Sequence, residues 1–320
     1  MPSPVKLGIV GFGIMGERLL RAALDHAGEH VLPVGVWDPG EGVAERLAGI
    51  AGGPPLLASA QAVIEACDCL YIAAPPAAHI PLAQAALAAG RAVFLEKPLA
   101  TDLAQARGFV AQATGARAAV NFPMASSPAV AQVAAWRQAL VPERLAIAVD
   151  FATWPRGWQQ GAASWLTQRA EGGFTREVVS HFLFLTRRQL GPLRLLSAQA
   201  TYPGGARGGD GAETAIQAHL TAGDVPVTLT GGVGTTTQDD SNSWTLNGAI
   251  RLRDWSFAER VGADGWVQAP DTMPNDRMRP LVLRRQLEAV AAMTRGAPHP
   301  LATLAEALEV QEIVEAILAT

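Results

Sequence analysis

Lysine and cysteine are nearly absent from this 320-residue sequence, which holds two of each. The cysteines, Cys67 and Cys69, stand one residue apart and so cannot close a disulfide framework. There is no second Cys/His cluster for a closed zinc site. Their apolar surroundings point to buried thiols. Long apolar runs are missing too: none reaches the roughly 18–20 residues of a bilayer span. A strand pattern begins almost at once after Met1, leaving no room for a secretory leader, so the expected compartment is the cytoplasm. Excess positive charge is also lacking. A net charge of −4 gives no electrostatic footprint for nucleic acid or an acidic membrane surface.

What is present is ordinary for a globular protein. Apolar residues make up 49% and charged residues 17%, and the length suffices for two cores. Of the 25 Lys and Arg residues, all but Lys6 and Lys97 are arginine. A bias of that kind reflects composition, yet it singles out each lysine, because arginine does not titrate near neutral pH. Lys6 sits at the edge of the first strand, as a solvated end residue would. Lys97 does not.

Hydrophobic periodicity divides the chain. Strand patterns at Val5–Val10, Val31–Trp37, Cys69–Ala73, Ala92–Leu95 and Ala118–Asn121 alternate with helical patterns at Leu19–Leu24, Glu41–Leu47, Ser59–Ala66, Ile80–Ala89 and Leu103–Ala113. Such alternation predicts an α/β Rossmann-type, doubly wound parallel sheet over residues 1–120. Beyond it, strand patterns follow without intervening helices at Leu145–Trp154, Leu193–Tyr202, Thr214–Thr221, Val225–Thr236, Trp244–Leu252 and Trp255–Val261. Two helices, Leu281–Arg295 and Leu304–Leu318, close the chain. Residues 121–320 are therefore expected to form an α+β domain with a large, mainly antiparallel open sheet.

The first strand runs into Gly11-Phe12-Gly13-Ile14-Met15-Gly16, a G-x-G-x-x-G. In a chain with 32 glycines the triple alone is weak; a strand before it and a helix after it strengthen it. The first glycine suits a tight turn, the second lets backbone approach a pyrophosphate, and the third permits close helix–strand contact. A helix N-terminus there would meet the phosphates. Asp38 ends the next strand, where a carboxylate can bind the ribose hydroxyls and repel a 2′-phosphate. No arginine follows it directly, which favours NAD while leaving NADP possible. Asp38 has a plainer role open to it, as a turn former before Pro39-Gly40.

Asp68-Cys69-Leu70-Tyr71-Ile72-Ala73-Ala74-Pro75-Pro76, then His79, Gly90 and Glu96-Lys97-Pro98-Leu99-Ala100, form a more selective pattern. Further on come Trp165 and Gly172-Gly173-Phe174-Thr175-Arg176-Glu177-Val178-Val179-Ser180-His181. Together these resemble the glucose–fructose oxidoreductase, inositol dehydrogenase and rhizopine-catabolism family, and the likeness extends over essentially the whole chain. The resemblance implies a nicotinamide-dependent oxidoreductase, with Lys97 and His181 catalytic and Glu177 assisting. It assigns Ala74, Pro75, Pro76, His79, Glu96 and Lys97 to the cofactor side, with Glu96 holding the loop that carries Lys97. Asn121, Trp165, Glu177, His181 and Lys97 would meet a small-molecule substrate.

The residue types fit that chemistry independently. Moving hydride between an alcohol and a ketone needs a proton carrier and a cation beside the oxygen. Glu177 and His181, spaced i, i+4, share one helix face, and imidazole titrates in the useful range. A histidine amid Phe182, Leu183 and Phe184 also fits a satisfied core position. Trp154, Trp158 and Trp165 suit either core or an apolar substrate wall. The sequence departs from the family where Asp is usual: Glu177 is longer, and Phe184 stands three residues past the histidine. A less polar ketone, aldehyde or imine therefore remains open as substrate, as does a non-catalytic NAD-binding sensor. The open face of the second sheet is a natural surface for a homo-dimer or homo-tetramer.

Overall fold

The structure, a computed structural model, describes residues 2–204, 209–237 and 239–320. It comprises two compact units. The first is Met1–Ser126 with Arg279–Leu308, the second Ser127–Met278 with Glu309–Thr320.

In the first unit, strands β1 (Val5–Val10), β2 (Val31–Trp37), β3 (Cys69–Ile72), β4 (Ala92–Leu95) and β5 (Ala118–Val120) form one sheet. All pairings are parallel and the order is β2-β1-β3-β4-β5. Helices α1 (Ile14–His26), α2 (Val43–Ala48), α3 (Ala60–Ala66), α4 (Pro76–Ala88) and α5 (Leu103–Gln112) connect them. Every residue of β3 and β4 is buried, as continuous apolar strands in a parallel sheet should be. The chain steps outward from β1 to β2, then crosses to β3 on the other side of β1. That reversal opens a crevice at the strand ends, where ligands of such sheets bind. Cys67 and Cys69 are both free, and burial pushes their thiols up to about 11 and about 12.

The division differs from a single cut near residue 120. Helix α6 (Pro128–Arg137) begins the second unit, with the Ser127 hydroxyl accepting from Val130 N and Pro128 at the first turn. Both residues are helix-start signals in the sequence. Late in the chain, α9 (Asn275–Thr294) returns to the first unit from Arg279 onward. Its Leu283, Leu287, Val290 and Ala291 share one apolar core with Leu7, Ile9 and Phe94.

The second unit centres on an eight-stranded mixed sheet. Its strands are β6 (Leu145–Phe151), β7 (Leu193–Thr201), β8 (Ala215–Ala222), β9 (Val225–Val233), β10 (Ser241–Leu246), β11 (Ile250–Arg253), β12 (Phe257–Gly262) and β13 (Gly265–Gln268), in the order β13-β12-β11-β10-β6-β9-β8-β7. All pairs are antiparallel except β6 with β9, whose parallel register runs Leu145↔Val227 to Phe151↔Val233. The expected single strand Trp244–Leu252 is a hairpin instead. Asn247 and Gly248 take φ of 56° and 67°, the positive values of a type I′ turn, for which Asn-Gly is the preferred pair. β13 was not anticipated.

The short helix α7 (Ala163–Leu166) precedes α8 (Ser180–Leu190), which buries every residue from Ser180 to Thr186. One polar bond ties that helix to the sheet: the fully buried Trp244 indole N–H donates to Thr186 Oγ1 at 2.9 Å. The last helix is α10 (Leu304–Leu318).

Trp244→Ala should remove both the buried ring and this bond. We expect a loss of about 3–5 kcal/mol in the second unit, measured by denaturant unfolding. A variant as stable as the parent would show that α8 does not depend on this contact.

Candidate active site

The glycine loop lies at the crevice of the first sheet. Gly11 has φ of +92°, and a Cβ there would lie 2.4 Å from backbone atoms of Ala73 and Ala74. The loop after β1 is thus pressed against the chain leaving β3. A Cβ on Gly16 would sit 2.0 Å from the Gly11 carbonyl oxygen, so only glycine lets α1 start this close. Gly13 differs: a Cβ there meets nothing within 4 Å. Two glycines serve the protein's own packing, and the third borders open space at a helix N-terminus, where a phosphate group fits.

Asp38 is half-buried and points back into this loop. Its Oδ2 accepts from Phe12 N at 2.6 Å and its Oδ1 from Gly40 N at 2.7 Å. The carboxylate therefore makes the Pro39-Gly40 turn, the plainer of its two readings, and also fixes the glycine loop. Arg46, which the sequence reading passed over, donates from Nη2 to the Phe12 carbonyl at 2.8 Å.

At the ends of β3, β4 and β5 a buried polar network gathers. Glu96 Oε1 accepts from the Tyr71 hydroxyl and from Asn121 Nδ2, each at 2.5 Å. Asn121 Oδ1 in turn accepts from Gln286 Nε2 of α9 at 2.6 Å. Burial and then the adjacent Glu96 raise the Tyr71 phenol well above its ordinary value, so it stays a donor. Asn121, expected beside substrate, is 1% exposed and spends its amide within this network. Glu96, expected to hold the loop that carries Lys97, is tied to Tyr71 and Asn121. Lys97 follows it, half-buried, at the strand-end edge that bears the glycine loop.

His79 differs from its expected place as a contact of the nucleotide. It is 1% exposed, and its ring nitrogens face the carbonyls of Pro98 and Ala74, both at 2.8 Å. The ring is a strut between the segment after Lys97 and the Ala74-Pro75-Pro76 corner that opens α4. Burial, foremost, pushes its pKa down.

In the second unit, the Gly172-Gly173 pair is explained by crowding. A Cβ on Gly172 would lie 2.3 Å from the Leu166 carbonyl oxygen. At Gly173, φ is +97° and a Cβ would come within 2.2 Å of Glu213 Oε2. Glu213, a residue the sequence gave no reason to single out, is buried and accepts from Thr175 N at 2.7 Å. Arg176 anchors the same loop, with paired bonds of 2.7 Å to the two Glu315 oxygens and bonds of 2.8 Å to the Arg169 and Gly172 carbonyls. From Thr175 to Val179 the helix is π-type, with Ser180 N–H reaching the Thr175 carbonyl. π turns of this kind recur at functional sites. It carries Glu177, half-buried, into α8 and the buried His181.

The aromatic residues divide. Trp154 packs with Phe151 and Phe174 at ring distances of 5.3 and 6.3 Å, and its indole donates to the Leu166 carbonyl. Trp154 is half-buried, so it packs at the edge of the core with the Arg156 guanidinium over its ring. Trp165 is half-buried, and Trp158 is exposed beneath the Arg156 guanidinium. Phe184 is buried with Arg188 over its ring. Among the described residues, no group of three or more His, Cys, Asp or Glu is placed to hold a metal, and no helix is long and apolar enough to cross a membrane.

A parallel sheet whose strand order reverses at a glycine loop, with an acid closing the second strand, defines a dinucleotide-binding Rossmann domain. Residues 5–122 match the family described as "Oxidoreductase family, NAD-binding Rossmann fold". The chain is 39% identical over 114 residues to the inositol 2-dehydrogenase of Cereibacter sphaeroides, a match spanning 35% of this chain and 33% of that protein. Over nearly the whole chain its fold resembles that of GenD2 from gentamicin A biosynthesis, solved in complex with NAD. The TM-score is 0.76 at 20% identity, over 99% of this chain and 93% of that one. An oxidoreductase from Agrobacterium radiobacter, solved with NAD+, L-tartaric acid and magnesium, gives a TM-score of 0.78 at 15% identity, over 99% and 96%.

Two predictions follow the crowding. Gly13→Ala should fold like the parent but bind NAD at least about tenfold more weakly, read by nucleotide fluorescence titration. Gly16→Ala should fail to form the domain; unchanged binding in the first or a native melt in the second contradicts the glycine assignments.

Glu213 makes a pH prediction. Burial holds its carboxyl above the ordinary value of 4.5, with the hydrogen bonds from Thr175 opposing. Between the ordinary and raised values the native state binds more protons than the unfolded one. Stability on this account is full below the ordinary value and falls as pH rises through the raised one. Glu213→Gln should flatten that fall. Glu213→Ala strips Thr175 N of its acceptor and should cost about 1–3 kcal/mol. Melts across pH check both, and an unchanged profile in Glu213→Gln overturns the assignment.

Proposed function

We propose that the protein is a cytoplasmic, NAD-dependent dehydrogenase that interconverts a hydroxyl and a carbonyl on a sugar-like small molecule. The observation that carries the reading is the hydrogen-bond network at Glu96, which fixes the residue before Lys97 at the crest of the sheet bearing the glycine loop. A lone flexible ammonium would lose its geometric value; one on a corner this firmly tied retains it.

Gly11, Gly13, Gly16 and Asp38 would hold the dinucleotide, which when bound supplies the hydride acceptor. Asp38, aimed into the glycine loop, favours NAD over a 2′-phosphorylated cofactor. Lys97 places positive charge beside the reacting oxygen and stabilises it as its proton leaves. His181 takes that proton during oxidation and returns it during reduction. Glu177, four residues earlier on the helix, assists the imidazole. The inositol 2-dehydrogenase relative supports a polyol substrate. A second reading, a less polar ketone, aldehyde or imine, is favoured by buried Phe184 where the family usually has Asp.

Strands β6, β8 and β9 bury alternate residues, leaving one sheet face open. We assign that face to a homo-dimer or homo-tetramer. The two free, buried cysteines agree with a reducing compartment.

A nicotinamide-absorbance screen of polyols, sugars, ketones, aldehydes and imines, in both directions with NAD and NADP, tests the reading. Turnover of a polyol with NAD is expected. Lys97→Ala should lower kcat by about 10²–10⁴-fold while NAD binding persists. Full kcat in that variant removes Lys97 from the chemistry, and binding without turnover across the panel makes the protein a sensor.

A further inference from the structure

The sheet of the second unit solves the same turn twice, with very different residues. Between β10 and β11 the two positive-φ positions are Asn247 and Gly248, at 56° and 67°. Between β11 and β12 they are Asp254 and Trp255, at 46° and 70°, and Ser256 N–H closes the turn on the Arg253 carbonyl at 3.2 Å. Asn-Gly suits a left-handed pair, because glycine has no Cβ to crowd the carbonyl. A tryptophan in that conformation is a backbone outlier, held only where the surroundings over-determine it.

The surroundings here are explicit. Asp254 N donates to the Asn242 carbonyl at 2.9 Å, and Asp254 Oδ1 accepts from Asn242 N at 3.2 Å. Arg253 Nη1 binds Asp254 Oδ2 at 2.6 Å, and its Nη2 reaches the buried Glu259 at 3.0 Å. What the strain achieves is a placement. The Trp255 ring lies edge-on to the imidazole of His181, with centroids 5.2 Å apart and planes at 71°. It also packs on Phe182 at 5.3 Å. An ordinary Asn-Gly turn would close the hairpin equally well and leave that side of the imidazole without a wall.

We infer that Trp255 is a positioning residue for His181, held in a strained turn so that its indole fixes the imidazole in one rotamer. This inference rests on the proposed role of His181 as the proton carrier. Histidine has two side-chain torsions, and a ring wall on one side removes the alternative settings that a small residue would allow. A displacement of about 1 Å at a proton carrier is enough to cost a large factor in rate.

The test combines kinetics with histidine-labelled NMR on the full chain. In Trp255→Gly, whose backbone suits the turn, kcat should fall about 10- to 100-fold with substrate KM little changed. NAD affinity should match the parent. The His181 ring resonances should lose the shift imposed by the indole and show rotamer averaging. Trp255→Phe, which restores a ring, should recover most of kcat and the ordered signal. Unchanged kcat, or unchanged His181 resonances, in a folded Trp255→Gly overturns the inference. If the parent itself transfers no hydride, the proposed function fails, and the NMR arm alone then decides whether Trp255 orders His181.

Discussion

A single half-buried carboxylate organises the working edge of the nucleotide-binding unit. Glu96 directly follows β4, yet it gathers a phenol from β3, an amide from the residue after β5 and, through that amide, a glutamine from α9. Partly burying a carboxylate favours surrounding it with donors, and Tyr71 and Asn121 supply them. Because they sit at the strand ends, the network fixes the corner where the chain turns into Lys97-Pro98. His79 completes the arrangement from the far side, bracing the Pro98 and Ala74 carbonyls. The glycine loop, Lys97 and the Ala74-Pro75-Pro76 corner are therefore parts of one braced edge.

The second unit uses the same strategy with different parts. Its buried helix α8 can carry a histidine among phenylalanines only because its entry is tightly held. Glu213 receives the Thr175 N–H, Arg176 ties the loop to Glu315, and glycine is enforced at 172 and 173 by backbone and carboxylate crowding. Inside the helix, Trp244 and Thr186 satisfy each other across the sheet. Polar groups are few along its buried stretch, and those at its entry are held by the backbone and by paired charges.

Much of this was readable in residue order. The alternation of short apolar runs with amphipathic segments, the glycine triple and the terminal Asp38 specified a Rossmann unit, and the strands matched within a residue or two. The misreadings have physical causes. Trp244–Leu252 looked like one strand because its apolar alternation continues through Asn247-Gly248, although that pair is itself the turn signal. The parallel β6–β9 pairing brings together segments about 80 residues apart, which no local pattern encodes. His79 and Asn121 were expected to face ligand, since polar residues next to a site look the same in sequence whether they point outward or brace it.

Residue order alone thus determined most of the elements and the glycine loop, because turn chemistry, periodicity and motif spacing are local properties. Tertiary structure decided which polar groups are spent internally and which stay available. It returned residues 279–308 to the first unit, put Gln286 behind Asn121, and set Glu213 against Gly173. It also brought Trp255 to His181, 74 positions away in the chain. The reason is that burial and hydrogen-bond satisfaction are settled by neighbours in space, and distant segments become neighbours only when the core closes.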